Sequence, residues 1–240
     1  MIIANWKMNG SVNKLEIWLN GINEILSKEL QSDCIFCPPA CFLPLASKII
    51  KNLDLSISLG AQDLDPDLDN SFTGGINASM LKEFNTKYVI IGHSERRRIN
   101  EEGDSLLSKK IDSAISSDLR IIFCVGETLE EKNQGMTKKA LKKQLWLINQ
   151  YPMDKTMIAY EPIWAIGSGK KPELEDINNI HNFIVEELNL SKKDFLGVSY
   201  GGSITSSSAK SILSLKQVAG LLVGGSSLDY EEFCNIAMSS

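Results

Sequence analysis

At 240 residues, 43% apolar and 23% charged, the chain has the composition of an ordinary folded protein, which excludes disorder and fibrous repeats. Its 25 basic and 30 acidic residues leave a formal charge of -5, so no nucleic-acid surface is expected. No segment approaches the roughly 18 apolar residues of a membrane span, and the opening Met1–Met8 has no leader pattern, so a cytoplasmic protein without membrane contact is expected.

From the N-terminus onward, short apolar runs alternate with longer amphipathic ones. Strands are predicted at 2–5, 34–37, 56–61, 88–92, 120–125, 157–161, 196–200 and 220–224. Near-continuous apolarity at 89–91 and 121–123 suits parallel strands covered on both faces. Between them, Leu15, Trp18, Leu19, Ile22, Ile25 and Leu26 share a helical face, as do Leu107, Ile111, Ala114 and Ile115, and then Ile177, Ile180, Ile184 and Leu188. Lys138, Lys139, Lys142 and Lys143 form the wet side of another helix. No linker or low-complexity block divides the chain, so residues 1–240 are expected to form a single α/β catalytic domain, a closed (β/α)8 barrel. The rival is an open doubly wound sheet. That fold often carries a glycine-rich loop after its first strand, where this chain has Asn5-Trp6-Lys7.

Five cysteines make an odd set, and Cys34, Cys37 and Cys41 lack a second Cys or Cys/His pair to complete a zinc site. A reduced protein holding no metal is expected.

Barrel enzymes carry their chemistry just after the strands. Glu161 ends the sixth strand, where the scaffold can hold a base accurately. Trp164-Ala165-Ile166 and the glycines Gly167 and Gly169 follow it, and suit a cover that moves over substrate and excludes water. Pro162 restricts the near hinge. His93 follows the fourth strand and is expected to open a short helix, whose N-terminus disfavours an imidazolium. The neutral ring can then donate a hydrogen bond to a developing enolate oxygen. Asn5 and Lys7 follow the first strand, and the lysine offers a fixed positive charge. Gly167, Gly169, the Gly201-Gly202-Ser203 run and the Gly224-Gly225 pair offer backbone N–H groups to a phosphate. The second histidine, His181, falls within a helix pattern and is assigned to packing or solvent contact.

These segments resemble the triosephosphate isomerase family essentially end to end. The resemblance is carried by Asn5-Trp6-Lys7-Met8-Asn9-Gly10, Gly60-Ala61-Gln62-Asp63, the run from Tyr88 to Arg97, Cys124-Val125-Gly126-Glu127, Tyr160-Glu161-Pro162-Ile163-Trp164, Tyr200-Gly201-Gly202-Ser203 and Leu222-Val223-Gly224-Gly225. It implies interconversion of dihydroxyacetone phosphate and D-glyceraldehyde 3-phosphate by a cytosolic homodimer, with no metal or organic cofactor. By resemblance, Glu161 is the base, Lys7 the electrostatic clamp and His93 the neutral electrophile. Asn5 becomes a positioning group and Glu95 a support for Lys7. Gly167, Ser203, Gly224 and Gly225 match phosphate-binding positions, while Phe72 and Thr73 match a loop that reaches the partner subunit.

The chain departs from the family pattern in three places. Lys171-Pro172 stands at the rear hinge of the cover, and Ser168 replaces a commoner Thr. Gly75 replaces a glutamate expected to pair with Arg96. Arg96 therefore needs another acceptor, for which Glu101 or Glu102 is expected and Asp104 is a further candidate. Two other functions remain open: a phosphate-binding barrel without isomerase activity, and an isomerase for another small phosphosugar.

Overall fold

Side chains alternate across a strand, and in this chain both faces of most strands are apolar, so each strand needs cover on two sides. A closed barrel provides both. The computed structural model describes residues 1–66, 71–166, 172–189 and 195–240. Its parallel strands are β1 (Ile2–Asn5), β2 (Cys34–Cys37), β3 (Ser58–Ala61), β4 (Thr86–Ile91), β5 (Arg120–Val125), β6 (Thr156–Tyr160), β7 (Gly197–Tyr200) and β8 (Val218–Val223). They pair in sequence order, and β8 closes on β1 through Ile2 opposite Leu221 and Ala4 opposite Val223. Closure leaves no free sheet edge.

The alternation creates two apolar layers. Ile3, Ile35, Ile90, Ile122, Met157 and Leu222 belong to the smaller cluster inside the barrel. Ile2, Ala4, Phe36, Val89, Phe123 and Ile158 belong to the larger layer beneath the helices. Predicted strands 2–5, 34–37 and 120–125 have the observed bounds, while the others shift. β4 begins two residues early because buried Thr86 and exposed Lys87 extend the ladder with residues that an apolar reading passes over. Gly92, Glu161 and Gly224 lie one residue past their strands, where the chain has left the ladder.

The helices Val12–Ile25, Asp104–Ser116 and Leu174–Leu188 bury most of their predicted faces. Ile25 and Ile115, both in a final turn, are exposed, and Ile180 is half-buried. Conversely, Lys110 is buried on the Asp104–Ser116 helix. Lys138, Lys139, Lys142 and Lys143 are exposed along Thr137–Ile148, as its pattern predicts. No described helix is long and apolar enough to cross a membrane.

One tertiary bond set matters for the rim. The indole nitrogens of Trp6 and Trp18 both donate to the Ser227 carbonyl, at 3.1 and 2.8 Å. Trp6 also meets Trp18 and Phe36 edge-on. This apolar knot ties the end of β1 to the turn Gly225–Leu228. Lys7 and the Gly224-Gly225 pair are thereby neighbours although more than two hundred positions separate them.

Candidate active site

A cavity of about 410 Å³ opens at the carboxyl end of the strands. Asn5, Lys7, His93, Glu95, Glu161, Ser203, Gly224 and Gly225 all line it. These residues come from the ends of five strands, so the topology alone brings them together. Gly167, the remaining proposed phosphate contact, lies outside the described residues, as do Ser168, Gly169, Lys170 and Lys171.

Lys7 has a left-handed backbone, φ 52°. For a residue with a Cβ that conformation costs about 1–2 kcal/mol and must be held from outside. The Lys7 N–H donates to Asn5 Oδ1 at 3.1 Å, and Gln62 Nε2 donates to the Lys7 carbonyl at 3.0 Å and to that of Cys37 at 2.9 Å. The ammonium is aimed separately, by a 2.6 Å ion pair to Glu95 Oε1. Asn5 therefore acts on the lysine's backbone and Glu95 on its charge.

His93 caps the six-residue helix Ser94–Ile99, and its Nδ1 accepts the Glu95 N–H at 3.2 Å. In a neutral ring this places the remaining proton on Nε2. Nε2 lies 3.0 Å from Glu161 Oε1, yet it is out of line for a hydrogen bond and is a buried polar atom with no such partner. Glu161 Oε2 is likewise buried and unsatisfied. Burial is the strongest influence on the His93 pKa and lowers it, but the charge and contact of Glu161 outweigh it, with Lys7 lowering and Glu95 raising the balance. The net direction is upward, so the neutral ring expected from the helix N-terminus is opposed in this geometry by the neighbouring carboxylate. Glu161 is pushed up by burial and, more strongly in sum, down by His93, the Cys124 thiol and Lys7. Its carboxyl therefore stays ionised although only 3% of the residue is exposed.

The backbone of Glu161 is held as firmly as its charge. Its N–H donates to Val125 O at 2.8 Å, and a Cβ at Gly126 would stand 1.8 Å from the Glu161 carbonyl oxygen. Gly126 is thus required for β5 to approach the base. Gln144 locks it, accepting its N–H at 3.0 Å and donating to its carbonyl at 2.8 Å. Sequence reading assigned no role to Gln62, Gly126 or Gln144. Glycine next to a strand end was the available signal, and the two glutamines had none.

Trp164, read as part of an apolar tip, donates its indole N–H to buried Glu127 Oε1 at 2.7 Å, and Lys132 Nζ lies 3.3 Å from its ring centroid. The start of the expected cover is therefore pinned by a carboxylate and a cation. Phe72 and Thr73 are exposed in the isolated chain. Gly75 N–H donates to Phe72 O at 3.1 Å, and a Cβ there would come 2.6 Å from the exposed Phe72 ring, which would have to shift to admit a side chain.

Arg96 has found its acceptor within the chain. Its Nε donates to Glu102 Oε1 at 2.8 Å, as expected, and Nη2 lies 2.6 Å from Asp63 Oδ2, which was not expected. Glu101, the other expected acceptor, is exposed and has a left-handed backbone, and Asp104 opens the next helix. The five cysteines are free thiols, and no group of three or more metal-ligating side chains stands together among the described residues.

Known proteins resemble this chain over its full length. The family model described as triosephosphate isomerase matches residues 1–240. A triosephosphate isomerase of Aquifex aeolicus is 38% identical over 246 residues, covering 100% of this chain and 98% of the relative. One of Buchnera aphidicola subsp. Schizaphis graminum is 38% identical, covering 98% and 95%, and one of Dictyoglomus thermophilum is 38% identical, covering 100% and 98%.

Proposed function

Because the chain belongs to the triosephosphate isomerase family, we propose that its rim cavity interconverts dihydroxyacetone phosphate and D-glyceraldehyde 3-phosphate. Glu161 takes a proton from the carbon beside the carbonyl and returns it to the neighbouring carbon. His93 donates from Nε2 to the oxygens of the enediolate, and Lys7 balances their negative charge. Protonating Nδ1 would cost the ring its bond from the Glu95 N–H, which favours the neutral donor once substrate stands between His93 and Glu161. The carrying observation is the ionised, buried Glu161 opposite the unsatisfied Nε2 of His93 in a cavity that also holds Lys7.

Ser203, Gly224 and Gly225 hold the phosphate, with Gly167 completing the cradle when the segment after Trp164 covers the substrate. The chemistry needs only a base, a donor and a fixed charge, and so no metal or organic cofactor. The protein acts as one catalytic domain in glycolysis and gluconeogenesis, in the cytoplasm, without nucleic acid or membrane. It works as a homodimer in which Phe72 and Thr73 reach the partner. Exposed apolar side chains support that assembly: Phe72 is 57% exposed, Ile99 68% and Met8 96%.

The test is turnover of glyceraldehyde 3-phosphate by the purified, chelator-treated protein, with dihydroxyacetone phosphate followed by a coupled assay. Rapid isomerisation is expected. Phosphate binding without turnover would leave a binding barrel, and turnover of only another phosphosugar would reassign the substrate.

A further inference from the structure

The helix Ser94–Ile99 carries Glu95 and is capped by His93, yet none of its residues is buried. Apolar packing therefore does not hold it, and a six-residue helix is unstable alone. Two arginines moor it instead. Arg97 donates to the carbonyls of Gly92 and Cys124 at 2.7 and 3.2 Å, fastening the helix to β4 and β5. Arg96 faces the other way, into a cluster with Asp63, Glu102 and Lys110.

That cluster is balanced: two cations face two carboxylates. Lys110, 1% exposed in its side chain, reaches both oxygens of Asp63 at 2.7 Å and Glu102 Oε1 at 2.8 Å. Arg96 reaches the same Glu102 oxygen and Asp63 Oδ2. Asp63 thus bridges Lys110, on the barrel's helical layer, to Arg96, on the helix of the active site.

The chain position of Asp63 gives the bridge its meaning. Its neighbour Gln62 holds the Lys7 carbonyl, while Glu95, neighbour of Arg96, holds the Lys7 ammonium. The contact between Asp63 and Arg96 closes a ring that runs from Lys7 through Gln62 and Asp63 to Arg96 and Glu95, and back to Lys7. We propose that Asp63 is a positioning residue for the isomerisation, setting Glu95 and thereby the Lys7 ammonium through Arg96 from within a single subunit. Glu102 alone leaves Arg96 attached to the loop that follows its own helix. Asp63 ties it to β3 and to the strand-end segment that supports Lys7. Burial, with a smaller push from Glu102, lifts the Asp63 carboxyl to about 6 against the pull of Lys110 and Arg96. At neutral pH the charge needed for the bridge is present.

The proposal rests on the isomerase reading, so wild-type turnover is the control for that reading. Asp63→Asn removes the charge of the bridge but leaves buried Lys110 and the one-third exposed Arg96 on one carboxylate, which can destabilise the fold. Asp63→Asn combined with Lys110→Met restores the charge balance, leaving Arg96 with Glu102. In this double variant a Tm near wild type is expected, with kcat/KM for glyceraldehyde 3-phosphate lowered roughly 10- to 100-fold, as for a misplaced site group. A crystal structure should show Glu95 displaced from its 2.6 Å contact with Lys7. That second readout needs no turnover, so it decides the proposal even where the isomerase reading fails. An unmoved Glu95, or a kcat/KM that returns with stability, would reduce Asp63 to a structural ion pair.

Discussion

The two histidines occupy equally buried but chemically opposite regions, His93 at the barrel rim with 4% exposure and His181 in the helical layer with 0%. His181 stands 5.9 Å from the Tyr160 ring and 6.5 Å from that of Tyr200, and its Nδ1 is 3.4 Å from the Gln217 carbonyl. Burial pushes its pKa down to about 4, and the backbone carbonyl opposes only part of that. At His93 the same burial is overcome by Glu161. Desolvation is therefore the common background, and a single carboxylate at 3.0 Å decides which histidine has chemistry to offer.

Removing that carboxylate should erase the contrast. Glu161→Gln is expected to lower kcat by about 10²- to 10⁴-fold, the usual range for a lost general base. The His93 pKa, followed by NMR, should fall toward the behaviour of His181. A folded variant with an unchanged His93 titration would detach the shift from Glu161. Shortening the base instead, as Glu161→Asp, should also slow turnover severely while circular dichroism stays unchanged.

His181 offers the converse test, on stability. Its folded pKa of about 4 lies below the 6.5 of the free side chain, so between these values the unfolded chain binds more protons. Stability should then fall as pH drops through this window, by on the order of 3 kcal/mol at its lower end. Asp63 works in the opposite sense: its folded pKa of about 6 exceeds the ordinary 3.8, so the folded state binds protons first and offsets part of the loss. The informative quantity is the difference between wild type and His181→Leu in urea unfolding from pH 7 to 4. His181→Leu should lose less stability on acidification, and parallel curves would break the comparison.

Two glycine substitutions sharpen the rim side. Gly126→Ala would press a methyl group onto the Glu161 carbonyl. It should lower kcat about tenfold through displacement of the base, and a wild-type rate would show that Glu161 tolerates movement. Gly225→Ala meets nothing within 4 Å. Its effect on unfolding free energy should stay within about 0.5 kcal/mol, and a large loss would mean that the cradle is under strain.

Much of the barrel was legible because burial on both faces writes itself into strands as continuous apolar runs, as at Ile121-Ile122-Phe123. Thr86 and Val218 escaped that signal, since polar or exposed neighbours interrupt the run although the ladder continues. The places of Asn5 at the end of β1, and of Lys7, His93 and Glu161 just past their strands, were legible from the chain pattern. Gln62 and Gln144 were not, because each acts by hydrogen-bonding a backbone distant in sequence, at Lys7 and Gly126. The Arg96 acceptor was half legible: Glu102 is six residues away along the chain, whereas Asp63 arrives from another strand end.

By itself the sequence determined the alternating βα pattern, the family and the residue types available for proton transfer, because these follow from local periodicity and from side-chain chemistry. The tertiary structure alone decided which polar atoms became partners. Closing the barrel brings strand ends from distant parts of the chain around one cavity, and electrostatic influence falls with distance in space whatever the separation in sequence. That is why the pKa values of His93 and His181, the same side chain equally buried, are shifted in opposite directions.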